Sequence, residues 1–461
     1  MEMNVSNPSD SRPPNGAVQS LPRVIGFYAS TAIVVGTIIG SGIFLVPHNV
    51  ALQVGSVRAL FLVWVVGGIL SLAGALSMAE LGTAMPEAGG VYVYLRQAYG
   101  KLFAFLFGWA LLLVISSGSI ATLAAAFGKY SSSFLPLTPL QQKLAGATVI
   151  AIFTVVNVLG VRKGGVAQLI FTVAKLLGLA IIMGFAFFSR HVTPVAAVGV
   201  LPVPHTTVAS WGVALIGVLW AYEGWHLLSF NAGEVKNPSR VLPRSYLLGT
   251  SLVMAVYLLA NLAYLRVLPL PALAEYPLVA AKAMEVLAGP AGASFVSALI
   301  LCSIVGALNG NVLGGPRVYF AMARDGVFFS SVGRVHPRFQ TPALAIWIQG
   351  AWSIVLVASG TFEQLYTYVI STGWIFYGAA VFAVVILRRR MPALERPYRV
   401  WGYPVLPIVF SLAALAIVIN VLMTKPHESL IGFGIVLAGI PIYFVWKLLT
   451  KAPAAEVQPN R

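Results

Sequence analysis

The sequence has 461 residues, of which 59% are hydrophobic and 9% are charged, and its formal net charge is +16. This balance leaves too little polar surface for a water-soluble globule and is typical of a polytopic membrane protein. A basic surface against anionic lipid accounts for the positive charge without a nucleic-acid partner. The single cysteine, Cys302, excludes an internal disulfide and argues against a thiolate metal site.

Residues 1–20 are polar and contain no apolar stretch ahead of a cleavage site, so we expect a short disordered cytoplasmic tail and no cleaved signal peptide. Apolar segments of roughly 20 residues follow, each long enough to cross the hydrocarbon core as a helix. A second cytoplasmic tail is predicted at 451–461. The predicted spans are 22–52, 57–85, 98–127, 139–160, 165–189, 208–232, 243–268, 290–324, 342–359, 364–387, 404–424 and 429–448.

Span 1 contains Gly36, Gly40, Ser41 and Gly42 within otherwise apolar sequence. Each glycine weakens a helix by roughly 1 kcal/mol relative to alanine, so the cluster favours unwinding. Unwound backbone is tolerated in a membrane where it lines a cavity, and the freed N–H groups at a new helix start can bind an anion such as a substrate carboxylate. The spacing of Gly36 and Gly40 fits close helix packing equally well, and this segment alone does not separate the two interpretations.

Span 5 contains a lysine in apolar sequence. Lys175 lies 11 residues beyond Gly164, which is roughly 16 Å along a helix and too deep for easy snorkelling. A buried ammonium group can donate hydrogen bonds between helices at a place where other transporters hold Na⁺, or it can titrate as a proton carrier. The sequence leaves both roles open.

Span 6 places Glu223, Gly224 and His226 among the aromatic residues of the run Leu219–His226. A carboxylate at mid-bilayer costs on the order of 3 kcal/mol, so we expect Glu223 to face a cavity or a partner. Trp220 either packs against neighbours or closes over a ligand. His226 is either a hydrogen-bonded structural residue or a ligand-binding residue.

Spans 1 and 6 hold corresponding places if residues 21–190 and 207–388 are two five-helix repeats, followed by spans 11 and 12 within 400–450. Interrupted spans at matching positions are typical of inverted-repeat transporters with a binding site at mid-membrane. Helix starts then bind a carboxylate, and exposed carbonyls at helix ends bind an ammonium group. A zwitterionic substrate fits this arrangement.

Basic residues predict the orientation. If the N-terminus is cytoplasmic, Lys and Arg are about three times as frequent on the cytoplasmic side as on the outer side. The largest cluster lies between spans 10 and 11 and consists of Arg388, Arg389, Arg390, Arg396 and Arg399. We therefore expect both termini in the cytoplasm and a multi-pass protein of the cell inner (plasma) membrane.

Several motifs occur in order through about residues 20–450. Three of them resemble the amino acid-polyamine-organocation superfamily, namely Gly36–Phe44, Ala79–Thr83 followed by Gly89–Tyr94, and Phe171–Leu177. Others resemble its L-type amino-acid transporter branch, namely Ala221–Trp225, Gly233–Pro238, Asn309–Gly310 and Arg317.

The resemblance implies an all-α LeuT-type fold, a 5+5 inverted repeat with twelve transmembrane helices, and spans 1 and 6 broken around the substrate. It implies that Ile39–Gly42 bind the carboxylate, that carbonyls near Ile38 and from Leu219 to Tyr222 bind the amino group, and that Trp220 is the aromatic gate. Lys175 corresponds to the span 5 lysine of sodium-independent members. The implied substrate-binding residues are Ile38, Ile39, Gly40, Ser41, Gly42, Leu219, Trp220, Ala221, Tyr222, Glu223 and His226.

The chain departs from this branch at three places. Animal light chains carry a cysteine after span 3 that joins a glycoprotein heavy chain, but Tyr130–Gln142 has none, so a stand-alone bacterial protein is implied. Glu223 stands where members selective for large neutral amino acids have a small residue and where a member that accepts cationic ones has an acid. His226 stands where several members have asparagine.

The predicted function is sodium-independent L-amino-acid transport by alternating access, as an exchanger of neutral amino acids, with acceptance of cationic ones left open. Two alternatives remain, a proton-coupled carrier of cationic amino acids or polyamines, and a non-transporting amino-acid sensor. No metal motif of the HExxH kind or catalytic constellation occurs, so we expect no enzyme activity, cofactor or metal. A channel would line a continuous pore with polar residues, whereas polarity here is confined to a few spans.

Overall fold

The computed structural model describes residues 21–189, 207–360 and 362–450. The predicted tails at 1–20 and 451–461 lie outside these residues. The described part is helical, and β-structure within it is limited to one isolated parallel bridge between Ile25 and Val235.

The helices of the first half are α1 Phe27–Ile38, α2 Gly42–Val54, α3 Val57–Ala84, α4 Val91–Tyr99, α5 Lys101–Ala110, a π-helical segment Leu111–Ile115, α6 Ser116–Ser131, α7 Pro139–Val158 and α8 Val161–Phe188. The helices that follow are α9 Val208–Ala221, α10 Leu227–Phe230, α11 Pro238–Val267, α12 Leu270–Glu275, α13 Val279–Gly314, α14 Pro316–Arg324, α15 Ala343–Ser359, α16 Phe362–Arg390, α17 Val405–Thr424 and α18 Pro426–Thr450.

Within the described residues, ten helical segments are long and apolar enough to cross a membrane. Three of these segments join helices that are named separately above, α1 with α2, α5 with α6, and α13 with α14. The shorter apolar helices α9 and α15 complete the set of candidate spans. Every span predicted from the sequence overlaps one of the ten long segments or one of these two helices. The all-α polytopic architecture and the breaks in spans 1 and 6 are therefore confirmed.

Span 8 begins at the residue that the sequence predicted. The range of α13 contains two helices, because Gly289 has φ 68° and ψ −162°, outside the helical region. The second helix begins at Pro290, whose fixed φ and missing N–H suit the first turn of a helix, and this agrees with the predicted start at residue 290. The short α14 then completes the span.

Helix α8 has one face that suits contact with lipid and one face that packs against the protein interior. One face is exposed and apolar and includes Val166, Leu169, Ile170, Val173 and Leu177. The opposite face is buried and carries the polar residues Gln168, Thr172 and Lys175. This face packs against α1, α11 and α13. Lys175 is thereby directed into the protein interior and away from lipid.

The two broken spans lie together at the centre. Helix α1 packs against α8, α11 and α13, while α2 packs against α9. The chain just before α1 also pairs with the chain just after α10, since the Ile25 N–H donates to Glu234 O at 2.9 Å and the Lys236 N–H donates to Ile25 O at 2.8 Å. The breaks are therefore held side by side.

Candidate functional site

The break in span 1 occupies residues 39–41. Helix α1 ends at Ile38, and Ile39 has φ −73° and ψ 93°, outside the helical region. Helix α2 restarts at Gly42 with Ser41 as its N-cap. A Cβ atom on Gly42 would come within 2.5 Å of the Cα of Ala221. Glycine is therefore required at this position, because the end of α9 passes directly against the start of α2.

The break in span 6 occupies residues 222–226. Helix α9 ends at Ala221, and α10 begins at Leu227. Gly224 has φ +117°, a left-handed conformation that L side chains rarely adopt. Its carbonyl oxygen lies 3.2 Å from Oγ1 of Thr37 in α1. The two broken spans therefore approach each other at two points beside the breaks. Gly42 meets Ala221, and Thr37 meets Gly224.

The ammonium group of Lys175 lies on the freed carbonyls of α1. Its Nζ donates to Gly36 O at 2.9 Å, to Ile39 O, and to Ser303 O of α13 at 3.1 Å. Lys175 is fully buried. The hydroxyl of Ser303 lies 3.1 Å from Ile39 O and 3.0 Å from Gly40 O. A helix C-terminus carries partial negative charge, so the lysine places a cation where the carbonyls attract one.

Tyr257 of α11 contacts the ends of both broken helices. Its hydroxyl oxygen is 3.0 Å from Ile38 O and 2.8 Å from Ala221 O. The residue is fully buried. No local sequence signal indicates this role, because tyrosine is common in membrane spans and both partners are distant in sequence.

A central cavity lies between the breaks. Its walls come from the span 1 break, the π-helical segment and start of α6, the span 6 break, α13 and α16. The lining residues are Thr37, Ile38, Gly40, Ser41, Gly42, Leu111, Ile115, Ser116, Ser119, Leu123, Trp220, Glu223, Gly224, His226, Leu227, Ala307, Asn311 and Tyr377.

Seven of the residues proposed for the substrate line this cavity, namely Ile38, Gly40, Ser41, Gly42, Trp220, Glu223 and His226. The other four lie behind it. Ile39 offers its carbonyl to Lys175, and Ala221 offers its carbonyl to Tyr257. Leu219 is buried, and the Tyr222 hydroxyl donates to Trp64 O at 3.4 Å.

Three cavity-lining side chains carry buried polar atoms that have no hydrogen-bond partner among the described residues. These atoms are Ser41 Oγ, Glu223 Oε2 and His226 Nδ1. Buried polar groups are normally satisfied, so unsatisfied ones that line a cavity are suited to a polar ligand. The hydroxyl, carboxylate and imidazole together present both acceptors and donors to such a ligand.

Glu223 and His226 lie side by side in the cavity wall. The carboxylate Oε1 is 3.6 Å from His226 Nδ1, and the Glu223 side chain is 10% exposed. His226 stacks on the ring of Tyr377, with centroids 4.3 Å apart, and its Nε2 is 3.0 Å from the Tyr377 hydroxyl. If Nε2 of His226 accepts a hydrogen bond from the Tyr377 hydroxyl, the ring hydrogen of the neutral imidazole is on Nδ1 and points toward Glu223. Tyr377 is a site residue that the sequence did not indicate.

The π-helical segment Leu111–Ile115 interrupts span 3 beside the cavity. It brings Leu111 and Ile115 to the cavity wall, and Ser116 and Ser119 follow in α6. Single π-helical turns occur often at functional sites, because the extra residue redirects the side chains. No feature of the local sequence predicted this bulge.

Trp220 meets an aromatic partner from α16. Its ring centroid is 5.8 Å from that of Tyr366, with the planes tilted by 37°. Trp220 lines the central cavity, whereas Tyr366 lines a separate cavity beside α2, α9 and α17. The two rings therefore stand between the two cavities.

Two ion pairs join separate segments of the bundle. Arg317 donates through Nε to Glu234 Oε1 at 2.8 Å and through Nη2 to Oε2 at 3.2 Å, and both side chains are fully buried. Arg388 donates to both carboxylate oxygens of Glu80, at 2.8 and 2.6 Å. The backbone N–H of Val400 donates to Glu80 at 2.7 Å. These pairs connect elements that are distant in sequence.

Across the described ranges, no group of three or more His, Cys, Asp and Glu side chains could hold a metal ion. Cys302 is partly buried and unpaired in α13.

Comparison with known proteins gives a consistent assignment. The sequence profile of the amino acid permease family matches residues 25–446. The serine/threonine exchanger SteT of Bacillus subtilis (strain 168) is 34% identical over 432 residues, which cover 93% of this chain and 97% of that protein. The b(0,+)-type amino acid transporter 1 of Mus musculus is 32% identical over 435 residues, with coverage of 93% and 88%.

The cystine/glutamate transporter of Homo sapiens is 30% identical over 450 residues, which cover 96% of this chain and 89% of that protein. The family match extends over both helix breaks, Lys175 and Tyr377. The chain therefore belongs to the amino acid permease family.

Proposed function

We propose that the protein is a sodium-independent L-amino-acid exchanger that works by alternating access. The observation that carries this proposal is the ammonium group of Lys175 on the carbonyls of Gly36, Ile39 and Ser303. A sodium ion at this position would need the same oxygen atoms, and a fixed ammonium group supplies the charge without an ion. The names of the relatives, which are exchangers and amino-acid transporters, support the same class.

In this proposal the backbone recognises the amino-acid head group. The substrate carboxylate binds the freed N–H groups of residues 40–42, at the positive start of α2. The ammonium group binds carbonyls at the ends of α1 and α9, near Ile38 and from Leu219 to Tyr222. The side chain points toward Glu223 and His226, and Trp220 closes over it. The unsatisfied Ser41 hydroxyl supports this placement of the carboxylate.

Glu223 determines the substrate range in this account. Its carboxylate lines the cavity without an arginine or lysine within ion-pair distance among the described residues. A cationic side chain of lysine, arginine or ornithine would supply that missing charge. A small neutral side chain with a hydroxyl would instead hydrogen-bond to the carboxylate. We therefore infer that neutral amino acids are exchanged and that cationic ones are accepted.

The membrane arrangement follows the basic residues. We infer a plasma-membrane location with both termini cytoplasmic, and residues 21–190 and 207–388 as two inverted repeats. The matching helix breaks support the repeats. The segment between α6 and α7 has no cysteine, and Cys302 lies within α13. We therefore infer that the protein acts without a disulfide-linked heavy chain.

Counterflow in proteoliposomes tests the function. Vesicles containing the purified protein are loaded with unlabelled L-alanine or left empty, and uptake of labelled L-alanine, L-serine and L-leucine is measured. An exchanger shows saturable uptake that is at least tenfold faster into loaded vesicles. A protein that binds these amino acids without any flux would be a sensor, and that result would contradict the proposal.

A further inference from the structure

Gln349 lies behind the wall of the central cavity. It belongs to α15, which packs outside the cavity lining, and its side chain is fully buried. Its amide nitrogen Nε2 donates to Ser116 Oγ at 3.3 Å and to Asn311 O at 3.2 Å. Both partners line the cavity, Ser116 from α6 and Asn311 from α13. One side chain thus connects two walls that the helix breaks do not form.

The orientation of the Gln349 amide follows from its partners. A backbone carbonyl can only accept hydrogen bonds, so the group that faces Asn311 O is the NH2 group. The Ser116 oxygen contacts the same nitrogen and therefore accepts as well. A hydroxyl that accepts one hydrogen bond still has its own hydrogen to donate. Since Ser116 lines the cavity, a ligand with an acceptor atom can receive that hydrogen.

Gly315 leaves the space for this contact. It lies between α13 and α14, and a Cβ atom there would come within 2.3 Å of Gln349 Oε1 and 2.5 Å of Ser116 Oγ. Its φ of −49° is an ordinary helical value, so glycine is needed here for space and not for backbone conformation. The amide and the hydroxyl are therefore packed against the same stretch of backbone, which restricts the position of both.

A second residue of α15 holds the same part of span 3. Trp352 lies three residues beyond Gln349, and its indole Nε1 donates to Leu113 O in the π-helical segment at 3.0 Å. Residues three apart share a face of a helix, so both donors point toward span 3. A π-helical turn is a local irregularity, and contacts from a neighbouring helix can fix where it occurs. The two donors of α15 thus hold the backbone that carries Ser116 to the cavity.

The chemistry of the walls indicates a class of side chain. In the proposed function the backbone of the breaks binds the amino and carboxylate groups, so the other walls face the substrate side chain. The Glu223 carboxylate can accept a hydrogen bond there, and the Ser116 hydroxyl can donate one. An aliphatic hydroxyl is a donor and an acceptor at once. L-serine and L-threonine therefore match this pair of groups, whereas L-alanine lacks the hydroxyl.

We propose that Gln349 is a positioning residue for recognition of a hydroxyl group on the substrate side chain, acting through Ser116. This inference rests on the proposed function, since it assumes that the head group of an amino acid binds at the two breaks. Gln349 acts on one wall of the cavity, so its loss changes the preference between substrates while exchange itself continues.

The test is Gln349→Met, which keeps the length of the side chain and removes the amide. The ratio of the KM for L-serine to the KM for L-alanine in counterflow should rise threefold to tenfold, the equivalent of one hydrogen bond. The maximal rate with L-alanine should stay within about twofold. A purely structural loss would change both KM values together and leave their ratio unchanged. Ser353→Ala is the matched control, because Ser353 is also buried in α15 and its hydroxyl donates to Gln349 O of its own helix.

A double-mutant cycle tests the route through Ser116. Ser116→Ala should raise the KM ratio as much as Gln349→Met does. The double variant should raise it no further, because the second change removes a hydroxyl that is already misplaced.

Trp352→Phe decides the matter if Gln349→Met does not fold. It keeps the amide and removes the indole N–H from Leu113 O, and the KM ratio should rise in the same direction. Trp347→Phe is its control, because Trp347 is exposed on the same helix. An unchanged ratio in the variant that folds, additive effects in the double variant, or a wild type that exchanges L-alanine but not L-serine would overturn the inference. Absence of any exchange by the wild type would instead refute the proposed function.

Discussion

The ammonium nitrogen of Lys175 lies 2.9 Å from the carbonyl oxygen of Gly36, near the end of α1. Among the described residues, no carboxylate forms an ion pair with this fully buried lysine. Its charge is stabilised by backbone carbonyl dipoles, which are fixed by the break in span 1. The broken helix and the lysine thus depend on each other, because each would leave unsatisfied groups in the membrane without the other.

Glu223→Gln should separate cationic from neutral substrates. Glutamine keeps the size of the side chain but removes the charge that would pair with a cationic substrate. We expect the KM for L-arginine to rise at least tenfold and the KM for L-alanine to change less than threefold, as measured by competitive uptake. Glu223→Gly should show the same direction. If arginine is not a substrate of the wild type or of either variant, the cationic part of the proposal is wrong.

Tyr366→Ala should weaken closure over the substrate. The variant removes the ring that packs on Trp220, a contact typically worth about 0.5–1.5 kcal/mol. We expect a threefold to tenfold rise in KM, and Tyr366→Phe should restore the wild-type value because it keeps the ring. Trp401→Ala serves as the control, since Trp401 is exposed and does not line the central cavity. Equal effects of Tyr366→Ala and Tyr366→Phe would show that the ring contact has no role in closure.

Gly42→Ala should disrupt the crossing of the two breaks. The added methyl group would meet the backbone of Ala221, which cannot move without displacing α9. We expect loss of most exchange activity and a lower melting temperature in detergent. Gly184→Ala is the matched control, because a Cβ at Gly184 in α8 meets no atom within 4 Å. Alanine there should leave transport unchanged and stabilise the helix by up to about 1 kcal/mol. Normal transport by Gly42→Ala would contradict the close approach of α2 and α9.

Arg317→Met should be strongly destabilising. It leaves the fully buried carboxylate of Glu234 without its partner, a change that typically costs about 3–5 kcal/mol. Lys282→Met breaks the partly exposed pair with Glu285 and should cost under about 1 kcal/mol. Thermal melting in detergent compares the two variants. The double variant Arg317→Met with Glu234→Met should have a higher melting temperature than Arg317→Met alone. A lower melting temperature of the double variant would show that loss of the ion pair is not the source of the destabilisation.

Composition and local sequence predicted much of the fold. The spans follow from segment length and hydropathy, and the breaks follow from glycine, which weakens helices wherever they form. Lys175 was conspicuous because a charge in apolar sequence requires a partner. The start of span 8 at residue 290 was predicted correctly, because the backbone at Gly289 is non-helical and a new helix begins at Pro290.

The rest of the site depends on tertiary contacts. Tyr257 and its partner Ile38 are 219 residues apart, and a tyrosine within an apolar helix carries no local signal of its partner. The same holds for Ser303, for Tyr377 and for the pairing of Glu234 with Arg317. These residues are ordinary in their own segments, and only the packing of α8, α11, α13 and α16 around the breaks gives them a role.

Sodium dependence of exchange, measured with the wild type and Lys175→Ala, tests the central claim most directly. Lys163→Ala, at the exposed start of α8, is the control for loss of a lysine. We predict equal wild-type counterflow in sodium and choline buffers, at least tenfold slower counterflow in Lys175→Ala, and normal counterflow in Lys163→Ala. A strict sodium requirement of the wild type, or undiminished exchange by Lys175→Ala, would contradict the role assigned to this lysine.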